Sequence, residues 1–290
     1  MFSDTHFHFS MMKEEERPSI LKTLAERNCF FGLDIGTHCD DLEDRIKIVE
    51  DAAEKNDEAV KEKIKSFMYF SAGIWPAVEA IKDRNNQSAE LENQIAKVQG
   101  IDGCFSKKIC AVGECGLDHH WNPSGTDGRC ESDFDKEVFL GEKELFIMQI
   151  ALAQKLKLPV IVHSRDAFSD TLDCIKEAGY GNGIIHCYSY GIEEAKAFLE
   201  RGWYLAFGGG VTYTKKSKIQ EMTELLKYVP EERLLLETDA PYLAPVPFRG
   251  TPNTPLLIDN TYDFIAQIRG TDKEKLSETV DKNIRCLFKL

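Results

Sequence analysis

Two histidines near the start of the sequence are spaced so that both could bind one metal ion. They lie in the segment Phe2-Ser-Asp-Thr-His6-Phe-His8-Phe-Ser10, which is a short apolar run of β type. Because side chains two residues apart in an extended strand point to the same side, His6 and His8 can reach one cation together. Such an ion needs further ligands, and these must come from elsewhere in the chain.

Imidazole and carboxylate groups also end four other short apolar runs. The segments are Ile109-Cys-Ala-Val-Gly-Glu114, Pro159-Val-Ile-Val-His163, Gly183-Ile-Ile-His186 and Leu234-Leu-Leu-Glu-Thr-Asp239. Any one such residue is more often a structural group or a helix cap. Together the six candidates favour a metal site, because burying Glu114 and Asp239 without partners would cost several kcal/mol.

Four imidazoles and two carboxylates exceed the ligand set of one tetrahedral ion. They suit two divalent ions that share a bridging carboxylate. In such sites the ions lie about 3.5–4 Å apart, generate a hydroxide from water and hold the oxygens of an in-line displacement. The residues therefore predict a hydrolase, most naturally of a phosphoester. Hydrolysis of a carboxylic ester, amide or lactone at the same ions is the alternative.

Eight short apolar or β-branched runs, with helix-like stretches between them, could position these residues. Runs this short and apolar are typical of parallel strands covered on both faces. Their eightfold alternation with helices predicts a (β/α)₈ TIM barrel with the candidate ligands at its C-terminal mouth. An open doubly wound sheet would need an early nucleotide-type glycine loop, which the sequence lacks. The predicted strands are Phe2–His8, Phe30–Gly36, Phe67–Gly73, Ile109–Glu114, Pro159–Ser164, Gly183–Tyr188, Trp203–Gly208 and Leu234–Asp239. The predicted helical segments are Pro18–Asn28, Asp40–Lys65, Gln87–Gly100, Phe134–Leu158, Arg165–Ala178, Ile192–Arg201, Lys215–Val229 and Leu256–Arg269.

The composition is that of an ordinary globular protein of 290 residues, 42% of them hydrophobic, which suits one large α/β domain or two small ones. A net charge of −13 argues against broad, non-specific binding of duplex nucleic acid. The nine cysteines form no Cys-x-x-Cys pair, and no export signal or membrane-length apolar run is present. We therefore expect reduced thiols and a cytoplasmic location.

Several further residues are candidates for supporting roles. Arg165 and Arg249 could hold a substrate phosphate through bidentate hydrogen bonds or could make structural salt bridges instead. Asp4 and Glu237 share strand parity with the candidate ligands His6 and Asp239, so either could fix the tautomer of a ligand imidazole or could anchor the polar mouth. The long polar segment 118–135 should overhang the mouth, either as a lid or as a tolerated insertion.

The motifs together resemble the TatD family of metal-dependent deoxyribonucleases, within the wider amidohydrolase-like superfamily. The matching segments are Asp4-Thr-His-Phe-His8, Val112-Gly-Glu-Cys-Gly-Leu-Asp118, Pro159 to Ala167, His186-Cys-Tyr-Ser-Tyr-Gly191, Leu234 to Pro245, and Pro247-Phe-Arg-Gly250 followed by Asn253 and Pro255. They run in family order across nearly the whole chain. One departure is a longer connection after Asp118, which opens with His119, His120 and Trp121 and bears on specificity.

The resemblance implies a single domain over residues 1–290, folded as a somewhat distorted TIM barrel. It places His6 and His8 on one ion, His163 and His186 on a second, and Glu114 between the two. Asp239 would be both a ligand and the group that takes the proton from the attacking water, so Glu114 and Asp239 are the predicted catalytic residues. The family's activity is Mg²⁺-dependent DNA cleavage, including 3′–5′ exonuclease action.

The ligand types leave the metal open among Mg²⁺, Mn²⁺ and Zn²⁺. We expect single-stranded DNA or DNA ends as the substrate, with no membrane association, and nothing in the sequence indicates a protein partner. DNA is not distinguished from RNA at this level, nor exonuclease from endonuclease action.

Overall fold

Eight parallel strands, hydrogen-bonded in chain order, form the centre of the computed structural model. The structure describes residues 2–103, 105–120 and 130–290. All seven pairings between consecutive strands are parallel. The strands are β1 (Asp4–Phe7), β2 (Gly32–Asp34), β3 (Met68–Ala72), β4 (Ile109–Asp118), β5 (Val160–Arg165), β6 (Gly183–Ile185), β7 (Tyr204–Phe207) and β8 (Leu234–Leu236).

The first and last strands close the sheet into a barrel. The amide of His8 donates to the carbonyl of Ala240 at 2.7 Å, and the amide of Asp239 donates to the carbonyl of His6 at 2.8 Å. Phe7 and Ala240 form an isolated parallel bridge at the same place. The predicted (β/α)₈ TIM barrel is therefore confirmed, and its closure sets both N-terminal histidines beside Asp239.

Helices surround the barrel and cover the outer faces of strands whose residues are almost all buried, as in β8 and in the Val-Ile-Val start of β5. Burial on both faces explains why these strands are continuous apolar runs and not alternating ones. None of the helices in the described ranges combines the length and apolar composition needed to cross a membrane. The helices are α1 (Arg17–Glu26), α2 (Leu42–Ala53), α3 (Glu58–Phe67), α4 (Val78–Lys82), α5 (Arg84–Gln99), α6 (Lys136–Leu156), α7 (Phe168–Ala178), α8 (Ile192–Leu199), α9 (Ile219–Tyr228), α10 (Ile258–Arg269) and α11 (Lys273–Phe288).

The helices depart from the sequence prediction at three places, one of which is the short helix α4, which no predicted segment covers. The predicted segment Asp40–Lys65 is two helices, because Asp57 caps α3 by accepting a hydrogen bond from the Val60 amide at 3.0 Å. The last helix, α11, was not predicted at all. It begins after the capping residue Asp272 and buries an apolar face against the barrel. The residues of that face include Leu276, Val280, Ile284 and Leu287.

Strand β4 extends past its predicted end at Glu114 and reaches Asp118. Gly113 and Gly116 both have positive φ angles, of 139° and 143°. A Cβ atom at Gly116 would lie 2.0 Å from the carbonyl oxygen of His163, so only glycine permits this close approach to β5. The pairing register shifts between Gly113 and Cys115. Because β4 continues to Asp118, Glu114 lies in the middle of the strand and Asp118 lies at its end.

The segment predicted to overhang the mouth, 118–135, falls only partly within the described residues. Residues 121–129, including Trp121, lie outside them. Whether the segment is a lid or an insertion therefore stays an open prediction.

Candidate metal centre

The Glu114 carboxylate lies at the centre of the predicted ligands. Its Oε1 atom is 2.8 Å from Nδ1 of His163 and 3.0 Å from Nε2 of His186. Its Oε2 atom is 3.5 Å from Nε2 of His6 and 3.8 Å from Nε2 of His8. The two oxygens therefore face two different pairs of imidazoles, which is the arrangement that a bridging carboxylate requires.

Asp239 faces the pair of imidazoles contributed by β1 and the residue after it. Its Oδ1 atom lies 3.6 Å from Nε2 of both His6 and His8. The ligand atoms fall into two groups that could each hold a metal ion, with all ligand atoms of a group within 4.8 Å of one another. One group is His6, His8 and Asp239, and the other is His6, Glu114 and His186.

The electrostatics of this cluster keep its carboxylates ionised. Burial by itself disfavours the Glu114 carboxylate, but the charge of His186 and hydrogen bonds from the surrounding imidazoles hold the pKa of Glu114 well below its usual range. Burial likewise opposes ionisation of Asp239, yet its contact with His8 and the charges of the neighbouring imidazoles lower the Asp239 pKa. Two buried anions ringed by imidazole nitrogens form a strong attractor for cations.

The donor set fits divalent metal ions. Imidazole nitrogens face one another in two pairs, with His6 Nε2 3.4 Å from His8 Nε2 and His163 Nδ1 3.3 Å from His186 Nε2. Nitrogens brought this close, with carboxylate oxygens between the pairs, have the chemistry of a metal site for Zn²⁺ or Mn²⁺ and, less well, Mg²⁺.

Asp118 is a residue of the site that the sequence reasoning missed. Its Oδ2 atom lies 2.9 Å from Nε2 of His163, on the ring edge away from Glu114. A signal was present, since Asp118 ends the Val-Gly-Glu-Cys-Gly-Leu-Asp motif four residues after Glu114 and so keeps its strand parity. It went unused because the strand was predicted to stop at Glu114.

Asp4 and Glu237 have different roles. The Asp4 carboxylate accepts hydrogen bonds from the amides of His6 (3.1 Å) and Thr238 (3.0 Å) and from the Thr238 hydroxyl (2.6 Å). It therefore joins β1 to the end of β8, which is the anchoring role of the two predicted alternatives. Burial raises the pKa of Asp4 to about 8. Glu237 does face a ligand imidazole, with Oε1 3.5 Å from Nδ1 of His186.

Residues 3–289 match the family model described as TatD related DNase. The chain belongs to this family. It is 34% identical over 226 residues to an uncharacterized metal-dependent hydrolase YabD from Bacillus subtilis, covering 77% of this chain and 78% of that protein. It is 32% identical over 226 residues to the 3′-5′ ssDNA/RNA exonuclease TatD of Escherichia fergusonii, covering 76% and 77% of the two chains.

The fold agrees with that of a solved TatD homologue. The crystal structure of YJJV from Escherichia coli k12 superposes with a TM-score of 0.78 and 23% identity, covering all of this chain and 98% of that one. The resemblance inferred from the motifs is thus confirmed, and with it the prediction of a metal-dependent hydrolase of the TatD DNase family.

The two arginines predicted to bind phosphate lie at the rim of this TatD barrel. Arg165 is the last residue of β5, is exposed and is paired in strand register with Asp118 at the end of β4. The guanidinium of Arg249 lies 4.5 Å from the ring centre of Tyr213. Tyr242 is 52% exposed and lies edge-on to His8 with the ring centres 6.0 Å apart. The phosphate-binding role of the two arginines stays a prediction.

Proposed function

We propose that this TatD-family protein hydrolyses phosphodiester bonds of DNA with the help of two divalent metal ions. The observation that carries the proposal is the position of Glu114, whose two carboxylate oxygens face two separate pairs of imidazoles. A single ion would need only one of those faces. His6, His8 and Asp239 would hold the first ion, His163 and His186 the second, and Glu114 both.

When bound, divalent ions supply an activated water and neutralise the charge that develops on the phosphate. The chain's own residues then have separate tasks. Asp239 is the proposed acceptor of the proton from the attacking water, since its Oδ1 atom points into the cluster, 3.6 Å from Nε2 of both His6 and His8. Glu114 fixes the distance between the His6/His8 pair and the His163/His186 pair. Arg165 and Arg249 orient the substrate phosphate by hydrogen bonding.

We propose single-stranded DNA or DNA ends as the substrate, cleaved from the 3′ end. Support comes from the relative named as a 3′-5′ ssDNA/RNA exonuclease and from the acidic net charge, which disfavours long duplex tracks.

We also propose that residues 1–290 act as one hydrolase domain in the cytoplasm. The cysteines within the described residues are all free thiols, which supports a reducing compartment. The physiological ion is proposed to be Mg²⁺, Mn²⁺ or Zn²⁺, with the imidazole-rich ligand set favouring the last two.

The test is a cleavage assay on end-labelled single-stranded and duplex DNA. The protein is stripped with chelator and reloaded separately with Mg²⁺, Mn²⁺ or Zn²⁺, alongside His163→Ala and a matched control, His120→Ala. His120 also lies at the mouth but pairs with Asp166 at 2.7 Å, outside the cluster. Metal-restored cleavage that persists in the control and disappears in His163→Ala is expected, with a 3′–5′ ladder. If the folded, metal-loaded protein leaves DNA intact but hydrolyses neutral esters or lactones, the phosphodiesterase proposal is wrong.

A further inference from the structure

We propose that Asp118 is a positioning residue that fixes the ring orientation and tautomer of His163, so that Nδ1 of His163 is free to bind the second metal ion. The proposal rests on the function proposed above, because it takes the space between His163, His186 and Glu114 to be a metal position. It adds a residue to which no metal-binding or catalytic role has been assigned.

The imidazole of His163 is held between two carboxylates. Nδ1 lies 2.8 Å from Oε1 of Glu114, and Nε2 lies 2.9 Å from Oδ2 of Asp118. A neutral imidazole carries one ring hydrogen, and the nitrogen that binds a metal must be the one without it. Because an ionised carboxylate can only accept, Asp118 stabilises hydrogen on Nε2, which is the tautomer that His163 must adopt when a metal ion replaces its Glu114 contact at Nδ1.

Asp118 is itself firmly fixed. Its Oδ1 atom accepts from the amide of His120 at 3.0 Å, and its own amide donates to Oε1 of Glu142 at 2.8 Å. Glu142 lies on α6, is only 2% exposed, and also contacts Nε2 of His119 at 2.9 Å. The carboxylate that faces His163 therefore has little freedom to turn away.

Strand β4 thus contributes two residues to the proposed site of the second ion. Glu114, in the middle of β4, contributes the proposed bridging carboxylate, and Asp118, at the end of β4, orients the imidazole that comes from the neighbouring strand β5. The other three imidazoles of the cluster lack this arrangement. Within the described residues, the buried Nδ1 atoms of His6, His8 and His186 have no hydrogen-bond partner.

The substitution Asp118→Asn distinguishes control of the His163 tautomer from a purely structural role of the Asp118 contact. Asparagine has the same size and can still accept from the His120 amide, but it then turns an NH₂ group toward Nε2 of His163. That donor favours hydrogen on Nδ1, where it blocks metal binding. We expect affinity for the second ion to fall by about 10- to 100-fold, the usual effect of losing such a partner. Affinity for the first ion and the melting temperature should change little.

The experiment titrates chelator-stripped protein with Mn²⁺ or Zn²⁺ by calorimetry for wild type, Asp118→Asn and a matched control, Asp166→Asn. Asp166 pairs with His120 on the same rim and touches no proposed ligand. NMR of isotope-labelled histidine in proteins given two equivalents of Zn²⁺ reports which nitrogen of His163 carries the hydrogen, with the signal assigned from His163→Gln. A purely structural role for Asp118 would leave this tautomer unchanged.

Weakened binding of one ion and a hydrogen moved to Nδ1, in Asp118→Asn but not in the control, would establish the proposal. Two ions bound as tightly as in wild type, with the tautomer unchanged, would overturn it and leave the proposed function standing. Fewer than two ions in the wild-type protein would overturn both. Should Asp118→Asn not fold, Asp118→Glu keeps the acceptor and is expected to keep hydrogen on Nε2, so that hydrogen on Nδ1 in this variant would count against the proposal.

Discussion

The two halves of the candidate metal centre are built in different ways. In the half formed by His6, His8 and Asp239, the two imidazoles come from positions two apart in one chain segment, and the carboxylate reaches them through the barrel closure. In the half formed by Glu114, His163 and His186, each residue comes from a different strand or strand end. Carboxylates also stand behind both of its imidazoles, Asp118 behind His163 and Glu237 behind His186.

The difference shows what a short motif can and cannot fix. Spacing of i and i+2 is enough to aim His6 and His8 together, so the first half needs only the closure between β1 and β8 to be complete. The second half depends on strand register across β4, β5 and β6, which local sequence does not determine. In the second half, the carboxylates of Asp118 and Glu237 orient the imidazole rings, which residue spacing does not do.

Removing one residue from either half should abolish activity, because in-line hydrolysis draws on both. We expect Asp239→Asn, in the first half, to lower kcat by about 100- to 10,000-fold, the usual range for a lost general base. His163→Ala, in the second half, should be at least as damaging. Turnover of metal-loaded variants on labelled single-stranded DNA measures this, with circular dichroism to show an intact fold. Near-normal turnover in either variant would remove that residue from the proposed mechanism.

The barrel closure supporting the first half can be broken without touching a proposed ligand. Asp4→Ala leaves the buried amides of His6 and Thr238 without their acceptor, and we expect it to lower the free energy of unfolding by about 3 kcal/mol. Asp4→Asn keeps an acceptor oxygen and should cost much less. Urea unfolding of the two variants gives the comparison. Equal stability of Asp4→Ala and wild type would show that the closure does not depend on this carboxylate.

The rim arginines test whether substrate binding is separate from the metal chemistry of both halves. Arg165→Ala and Arg249→Ala are each expected to raise KM for single-stranded DNA by about tenfold while kcat changes little, because each removes a charge-assisted hydrogen bond to phosphate. Arg165→Lys keeps the charge but not the paired geometry and should be intermediate. Steady-state kinetics at fixed ionic strength measure this, and an unchanged KM would assign the arginines to the structure alone.

The last prediction concerns Asp281, which lies outside both halves of the metal centre and bears only on the pH dependence of stability. Burial raises the pKa of Asp281 to about 6, although a hydrogen bond from Ser3 opposes the shift. The folded state therefore binds this proton more tightly than the unfolded state, and the contribution of Asp281 to stability decreases as pH rises from about 4 to 6. The stability of Asp281→Asn relative to wild type should rise by about 2 kcal/mol between pH 4 and pH 7. Urea unfolding at both pH values measures the difference, and a pH-independent difference would contradict it.

Much of the barrel could be predicted from sequence because its strands are buried on both faces and so appear as apolar runs. The positions at which those strands end were harder to predict from the sequence. β4 continues past Glu114 only because Gly113 and Gly116 adopt positive φ angles against β5, and this depends on a neighbouring strand that sequence alone does not place. Asp118 was missed for that reason.

Other misses had a local signal. The apolar spacing of α11 and its capping residue Asp272 were sufficient to predict a helix. The break between α2 and α3 was likewise marked by the cap at Asp57. For Asp4 the sequence left two roles open, because strand parity gives the side of the sheet on which a side chain lies but not the group with which it forms hydrogen bonds.

The pairing of the first strand with the last has a consequence for synthesis of the protein. A chain emerging from the ribosome presents His6 and His8 early, but Asp239 and the Thr238 amide that Asp4 binds follow more than two hundred residues later. The first half of the centre therefore cannot form on a nascent chain before β8 has been translated. Only chains translated beyond β8 can therefore become active. Fragments that end before β8 lack Asp239 and should be inactive even if they fold.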